Sequence, residues 1–212
     1  MLLKEVALEN YTNIPAAIAA GANRIELNDN LAVGGTTVSR GVMAEAAKYT
    51  QEHGITLVTM IRPRGGDFVY NDTELKIMEA DLLQAQSLGV DGVALGALTA
   101  DGKLDEEAMA LLVGAAGGMS VTFHMAFDAL APDQQAPAMT WLVDHGVERI
   151  LTHGGPLTTP IADCVPQLKK TLALADGRIQ ILPGGGITAA NVDEITQALD
   201  VPQAHGTKII SY

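Results

Sequence analysis

Two carboxylates carry the first chemical signal in this chain. Glu5 stands in the run Leu3-Lys4-Glu5-Val6-Ala7-Leu8, and Glu26 stands in Arg24-Ile25-Glu26-Leu27. Each interrupts an apolar, strand-like pattern, where an unpaired carboxylate would cost several kcal/mol. Both therefore need a cationic partner, and Arg62 is the natural candidate. Two readings follow: a structural ion pair, or carboxylates that position a substrate or hold a metal. His124 lies between Val121-Thr122-Phe123 and Met125-Ala126-Phe127-Asp128. A histidine at a strand end suits a general base or a ligand, with a satisfied core histidine as the alternative. Asp128 follows closely and joins Glu5, Glu26, Arg62 and His124 as a candidate catalytic group. His205 reads like His124. His53 and His145 close helical patterns, where a cation suits the helix dipole, so they read as structural. His153 is ambiguous.

A second set of residues could hold an anion. Arg62-Pro63-Arg64-Gly65-Gly66-Asp67 follows one strand-like run and supplies Arg64 beside Arg62. Leu182-Pro183-Gly184-Gly185-Gly186-Ile187-Thr188 follows another and opens a helical pattern. Residues without side chains expose backbone N–H groups, and a helix N-terminus attracts negative charge. Gly184, Gly185 and Gly186, with Arg64, His205 and Gly206, thus form a candidate anion site. The competing reading of the glycine triplet is a tight turn. No Gly-Lys-Ser/Thr follows it, so this is not a P-loop.

Such groups need a scaffold that brings distant parts of the chain together. Short apolar runs near 3–8, 24–28, 55–61, 91–95, 120–125, 148–152, 178–182 and 203–206 read as strands. Helical patterns fall near 12–20, 39–53, 72–88, 104–116, 133–145, 160–175 and 189–199, with Thr188 a reasonable N-cap for the last. One phrase recurs: a helix end, a glycine, then an apolar strand. It appears at Gly21, Gly89 and Gly146. The glycine suits the left-handed residue that closes a helix, and repetition argues for repeated βα units in one domain, residues 1–212. We therefore expect an α/β fold, a single-domain (β/α)8 TIM barrel, with an open doubly wound sheet as the rival. In a barrel the working groups sit at the C-terminal strand ends. The eighth helix is missing or truncated, since the chain stops at Tyr212. That would uncover the outer edges of strands one and eight, so a homodimer is expected.

Composition narrows the partners. The formal net charge of −12 repels phosphate backbones and anionic lipid, which argues against nucleic-acid and membrane partners. A single cysteine, Cys164, allows no intramolecular disulfide and fits a reducing cytoplasm. No apolar stretch approaches the roughly 18 residues of a membrane span.

The same motifs carry a family resemblance. Ile61-Arg62-Pro63-Arg64-Gly65-Gly66-Asp67-Phe68-Val69-Tyr70 resembles the signature of the CutC family. Arg24-Ile25-Glu26-Leu27 with Gly34-Gly35-Thr36-Thr37 also matches. So do Thr122-Phe123-His124 with Ala126-Phe127-Asp128, and Pro183-Gly184-Gly185-Gly186-Ile187-Thr188. The likeness runs from about residue 4 to 210, in a short, Gram-positive-like form of the family. It implies a TIM barrel of the bacterial cytoplasm, implicated in copper homeostasis and a candidate for copper ion binding. The proposed copper-ligand cysteines of the family fall at Ala7 and Asn28 here, and amide or methyl groups do not replace thiolates for Cu(I). Met125 also stands where the family usually has arginine. Met60, Met125, His124 and His205 remain as candidates for a thioether and imidazole site that would hold a copper cofactor. The alternative is an enzyme acting on a small anionic or phosphorylated substrate, with His124 as acid or base. In it Glu5 and Glu26 position the substrate, while Arg62 and the glycine loop hold its charge. A third reading is a non-catalytic oligomeric binding protein.

Overall fold

A computed structural model describes residues 2–212. Its strands are β1 (Leu3–Glu9), β2 (Arg24–Asn28), β3 (Thr56–Met60), β4 (Gly92–Leu95), β5 (Ser120–Phe123), β6 (Arg149–Thr152), β7 (Gln180–Pro183) and β8 (Gln203–Gly206). Helices follow the first seven: α1 (Ile14–Ala19), α2 (Arg40–Glu52), α3 (Asp72–Ser87), α4 (Glu106–Ala115), α5 (Pro132–Asp144), α6 (Ile161–Ala175) and α7 (Val192–Leu199). All the ladders are parallel, in the order β7-β6-β5-β4-β3-β2-β1-β8. The expected barrel is therefore present. Among the described residues no helix follows β8, and none is long and apolar enough to cross a membrane.

Strand periodicity divides each strand between two environments. Val6, Leu8, Ile25 and Leu27 join the large apolar cluster between the strands and the helical shell. Glu5, Arg24 and Glu26, on the alternate positions, meet one another inside the barrel. Barrel interiors are usually filled by branched apolar side chains. Here only Val58, Met60 and Ala94 form a separate small apolar group. Much of the remaining interior is polar: Glu5, Arg24, Thr122, Arg149 and Gln203 are all buried.

The barrel closes between β7 and β8 by a different means from its other seams. Gln203 Nε2 donates to Gln180 Oε1 at 2.8 Å. Above it, Thr188 bridges to Lys208, and Ala189 N donates to the Lys208 carbonyl at 2.8 Å. Gly206 lets these segments approach, because a Cβ there would collide with the Ile187 carbonyl oxygen. Gly206→Ala is expected to destabilise the fold by about 1–3 kcal/mol, as overpacking does elsewhere. The urea midpoint reports it, and an unchanged midpoint would mean that the seam has slack.

One boundary differs from expectation in a way that bears on the site. The last helix starts at Val192, not near 189, and its N-cap position is Asn191, not Thr188. Asn191 Oδ1 accepts from Thr188 N at 2.7 Å, which folds residues 188–191 into a turn ahead of the helix. Gly184–Gly186 consequently do not open a helix.

Candidate functional site

The floor of the barrel mouth is a chain of buried ionisable groups. Arg24 Nε donates to Glu5 Oε2, and Arg24 Nη2 donates to Gln203 Oε1 at 3.0 Å. The other oxygen of Glu5 lies 2.7 Å from His205 Nδ1. His205 Nε2 in turn lies 3.8 Å from Glu26 Oε2. Asn28 Nδ2 donates to that same Glu26 oxygen at 2.9 Å and fixes the carboxylate. The barrel register brings these groups together, since Glu5 pairs with Arg24 across β1–β2 and with His205 across β1–β8.

The electrostatics follow from that geometry. Burial opposes ionisation of Glu5, but His205 and Arg24 outweigh it and hold its pKa at about 2. Glu26 is pushed up, chiefly by burial and also by the negative charge of Glu5. Burial works against a charged His205, yet Glu26 and Glu5 raise its pKa overall. Both shifts oppose proton loss, and the two groups titrate as a pair.

Above the floor lies a cavity of about 330 Å³. Glu26, Arg62, His124 and His205 give it polar groups, and Met60, Phe68, Met125 and Leu151 give it apolar walls. Leu31, Val33 and Leu157 line it as well, with Val33 41% and Leu157 66% exposed. Most ligand sites share this plan of apolar walls with a few convergent polar groups.

His124 is neutral at ordinary pH. Burial, reinforced by the charge of Arg62, lowers its pKa to about 3. Its Nδ1 accepts from Ala126 N at 3.3 Å, so the ring proton resides on Nε2. That Nε2 has no partner among the described residues.

The structure assembles some of the expected groups and disperses others. Arg62 is not the partner of Glu5 or Glu26. Its Nη1 donates to the Val33 and Gly35 carbonyls at 2.9 and 3.0 Å, and its Nη2 to Gly66 at 2.8 Å. It thereby ties the loop after β2 to the loop after β3. Arg64 does not line the cavity, because Glu74, Asp67 and the Val69 carbonyl occupy its guanidinium. Asp128 is not a cavity group either. It accepts from Thr152 Oγ1 at 2.6 Å and from the His153 and Gly154 amides, which staples the loop after β5 to the end of β6. Gly185, Gly186 and Gly206 line the cavity. Gly184 does not, and its amide is taken by the Thr152 carbonyl at 3.0 Å. Ala7 lines the cavity, whereas Asn28 serves Glu26. His53 and His145 are helix C-caps, as expected, each with Nδ1 2.8 Å from the carbonyl four residues back.

Sequence reasoning passed over Arg24, the true partner of Glu5. A signal existed: Arg24 and Glu26 are two residues apart on a strand, so they share a face. If Glu26 points inward, so does Arg24.

Comparison with known proteins agrees with the architecture and motifs. The family model described as CutC matches residues 2–210. A CutC protein of Enterococcus faecalis is 56% identical over 209 residues, which is 99% of this chain and 100% of that one. A human relative named copper homeostasis protein cutC homolog is 39% identical over 203 residues, 96% of this chain and 72% of the other. A CutC crystal structure from Streptococcus agalactiae superposes with a TM-score of 0.95 at 46% identity, covering 99% of this chain and 100% of that one. An aldolase with a TM-score of 0.68 at 12% identity, over 97% of this chain and 89% of the other, shares the fold alone.

Proposed function

Because the chain belongs to the CutC family, we propose that it serves copper homeostasis through a small anionic molecule held in the barrel mouth, and not through a copper ion bound there. Cu(I) favours thiolate, thioether and imidazole donors. Cys164 does not line the cavity; it lies on α6, with Sγ 3.5 Å from His153 Nε2. The Nδ1 lone pair of His124 is engaged by Ala126, and its Nε2 carries the proton. His205 faces a carboxylate at each ring nitrogen. Met60 and Met125 are left as two thioethers, a poor set for a tight site. The cluster of Glu5, Glu26 and His205 offers hard oxygen donors, and Arg24 already occupies Glu5.

One observation carries the ligand reading. Glu26 Oε1, Arg62 Nε and His124 Nε2 are buried without hydrogen-bond partners, and all three residues line the same cavity. Leaving such atoms unsatisfied costs about 1–3 kcal/mol each. A bound molecule that accepts from His124 and Arg62 would recover part of that. Arg62 also favours negative charge, since it is only 4% exposed and has no carboxylate within ion-pair distance among the described residues.

Two titrations test this reading. Under anaerobic conditions the protein is expected not to compete for Cu(I) with a colorimetric chelator. Tight one-to-one competition that Met60→Leu or Met125→Leu abolishes would overturn the proposal. In calorimetry, 2-oxobutanoate is expected to bind the wild type, and His124→Ala is expected to weaken it at least tenfold. Equal affinity for both proteins would remove His124 from the site.

A further inference from the structure

We propose that this cavity is an acid–base catalytic site for small carbonyl compounds. In it Glu26 takes a proton from the carbon next to the carbonyl, while the Nε2–H of His124 polarises the carbonyl oxygen. The inference deepens the ligand reading above and rests on it.

Glu26 has the features of a carbon base. One carboxylate oxygen is anchored by Asn28 at 2.9 Å, while the other has no partner. The anchored oxygen fixes the side chain and leaves the second free to receive a proton. His205 Nε2 stands 3.8 Å away, too far to hydrogen-bond but near enough for its charge to act on the carboxylate. Glu5 and Arg24 lie behind His205 and hold it in place. They are positioning residues, since neither lines the cavity. A base works best with a pKa near the working pH, and the upward shift of Glu26 moves it in that direction.

His124 supplies the complementary part. A neutral imidazole donates a hydrogen bond to developing negative charge without handing over its proton readily. Its tautomer is set by Ala126, its neutrality by burial and by Arg62. A carboxylate base paired with a neutral histidine is a known division of labour at carbon acids. Arg62 adds a fixed positive charge, and Phe68 packs between the two, with its ring 4.9 Å from the Arg62 guanidinium and 4.9 Å from the His124 ring.

The step balances without a further reactant. The C–H bond breaks and its proton joins Glu26. The electron pair forms the carbon–carbon double bond of an enolate, and the carbonyl π pair moves onto the oxygen facing His124. Return of the proton to the same carbon gives exchange. When the carbon that lost its proton bears a hydroxyl, return of the proton to the former carbonyl carbon, with the hydroxyl proton passing to the former carbonyl oxygen, gives isomerisation. The exposed Val33 and Leu157 at the cavity rim suit a substrate with a short apolar substituent opposite its polar head.

The test is solvent deuterium exchange. Wild-type protein is incubated in D2O with 2-oxobutanoate, pyruvate or hydroxyacetone, and loss of the α-proton signal is followed by NMR. Binding is read on the same samples by saturation transfer. The expected result is exchange above the buffer rate that falls at least 100-fold in Glu26→Gln, while saturation transfer persists. Binding without exchange in the wild type overturns the catalytic proposal and leaves the ligand reading standing. Exchange that survives in Glu26→Gln overturns the assignment of the base. Neither binding nor exchange with any of the three compounds overturns both readings.

Discussion

Replacing Glu5 with leucine should destabilise the protein by about 3–5 kcal/mol at pH 7, the usual effect of removing one partner of a buried ion pair. Arg24 is 4% exposed, and its remaining side-chain contact would be the oxygen of Gln203 at 3.0 Å. A guanidinium left in that position keeps its desolvation penalty and loses its counter-charge. Removing both charges together, in Glu5→Leu/Arg24→Met, should recover part of the loss, because no guanidinium is stranded, while His205 Nδ1 still lacks the Glu5 oxygen that lay 2.7 Å away. Urea unfolding of the two variants beside the wild type gives the comparison. A single variant as stable as the wild type would mean that Arg24 does not depend on Glu5.

The pH dependence of the same pair supplies a second check. Folding depresses the Glu5 pKa from 4.5 to about 2. A depressed carboxylate contributes stability above its unfolded pKa and loses that contribution as pH falls through its folded pKa. The window is therefore from about 4.5 down to about 2, and the loss is on the order of 3 kcal/mol. Glu5→Leu should be flatter than the wild type across that window.

The barrel was legible because its signals are local. Apolar runs, glycine helix stops and their repetition fix strand and helix positions to within a few residues. The boundary at α7 was missed because Asn191 and Thr188 build a capped turn that the pattern of apolar residues does not reveal. The candidate site was legible in its members but not in its pairings. Glu26, Arg62, His124 and His205 do line one cavity. Which cation meets which carboxylate depends on register between strands, and register is non-local. Arg62 lies at the end of β3 and reaches backbone carbonyls of two loops, a role no side-chain pattern announces. Asp128 looked chemical because it closely follows His124, yet it turns to the next strand and caps backbone amides there. Proximity in sequence suggested a shared site, and the short helical turn Met125–Ala129 separated the two.

His124 should make the protein acid-sensitive above about pH 4.5, where Glu5 does not yet act. Its pKa falls from 6.5 when unfolded to about 3 in the fold, because burial and the nearby Arg62 disfavour the imidazolium. Between those values the unfolded chain binds a proton that the folded chain refuses, so stability declines as pH falls. From pH 7 to pH 5 the decline attributable to His124 is about 2 kcal/mol. Raised pKa values at His205 and Glu26 act in the opposite sense, favouring the fold as protons are taken up. A direct comparison with His124→Gln cancels them, because both proteins keep those groups. The variant should be less stable than the wild type at pH 7, having lost the ring that packs 4.9 Å from Phe68. That difference should shrink by about 2 kcal/mol at pH 5, since glutamine has no proton to gain. Urea midpoints at the two pH values decide the matter. Parallel losses in both proteins would mean that His124 is protonated within the fold, and a charged His124 would also end its role as a neutral donor to a carbonyl oxygen.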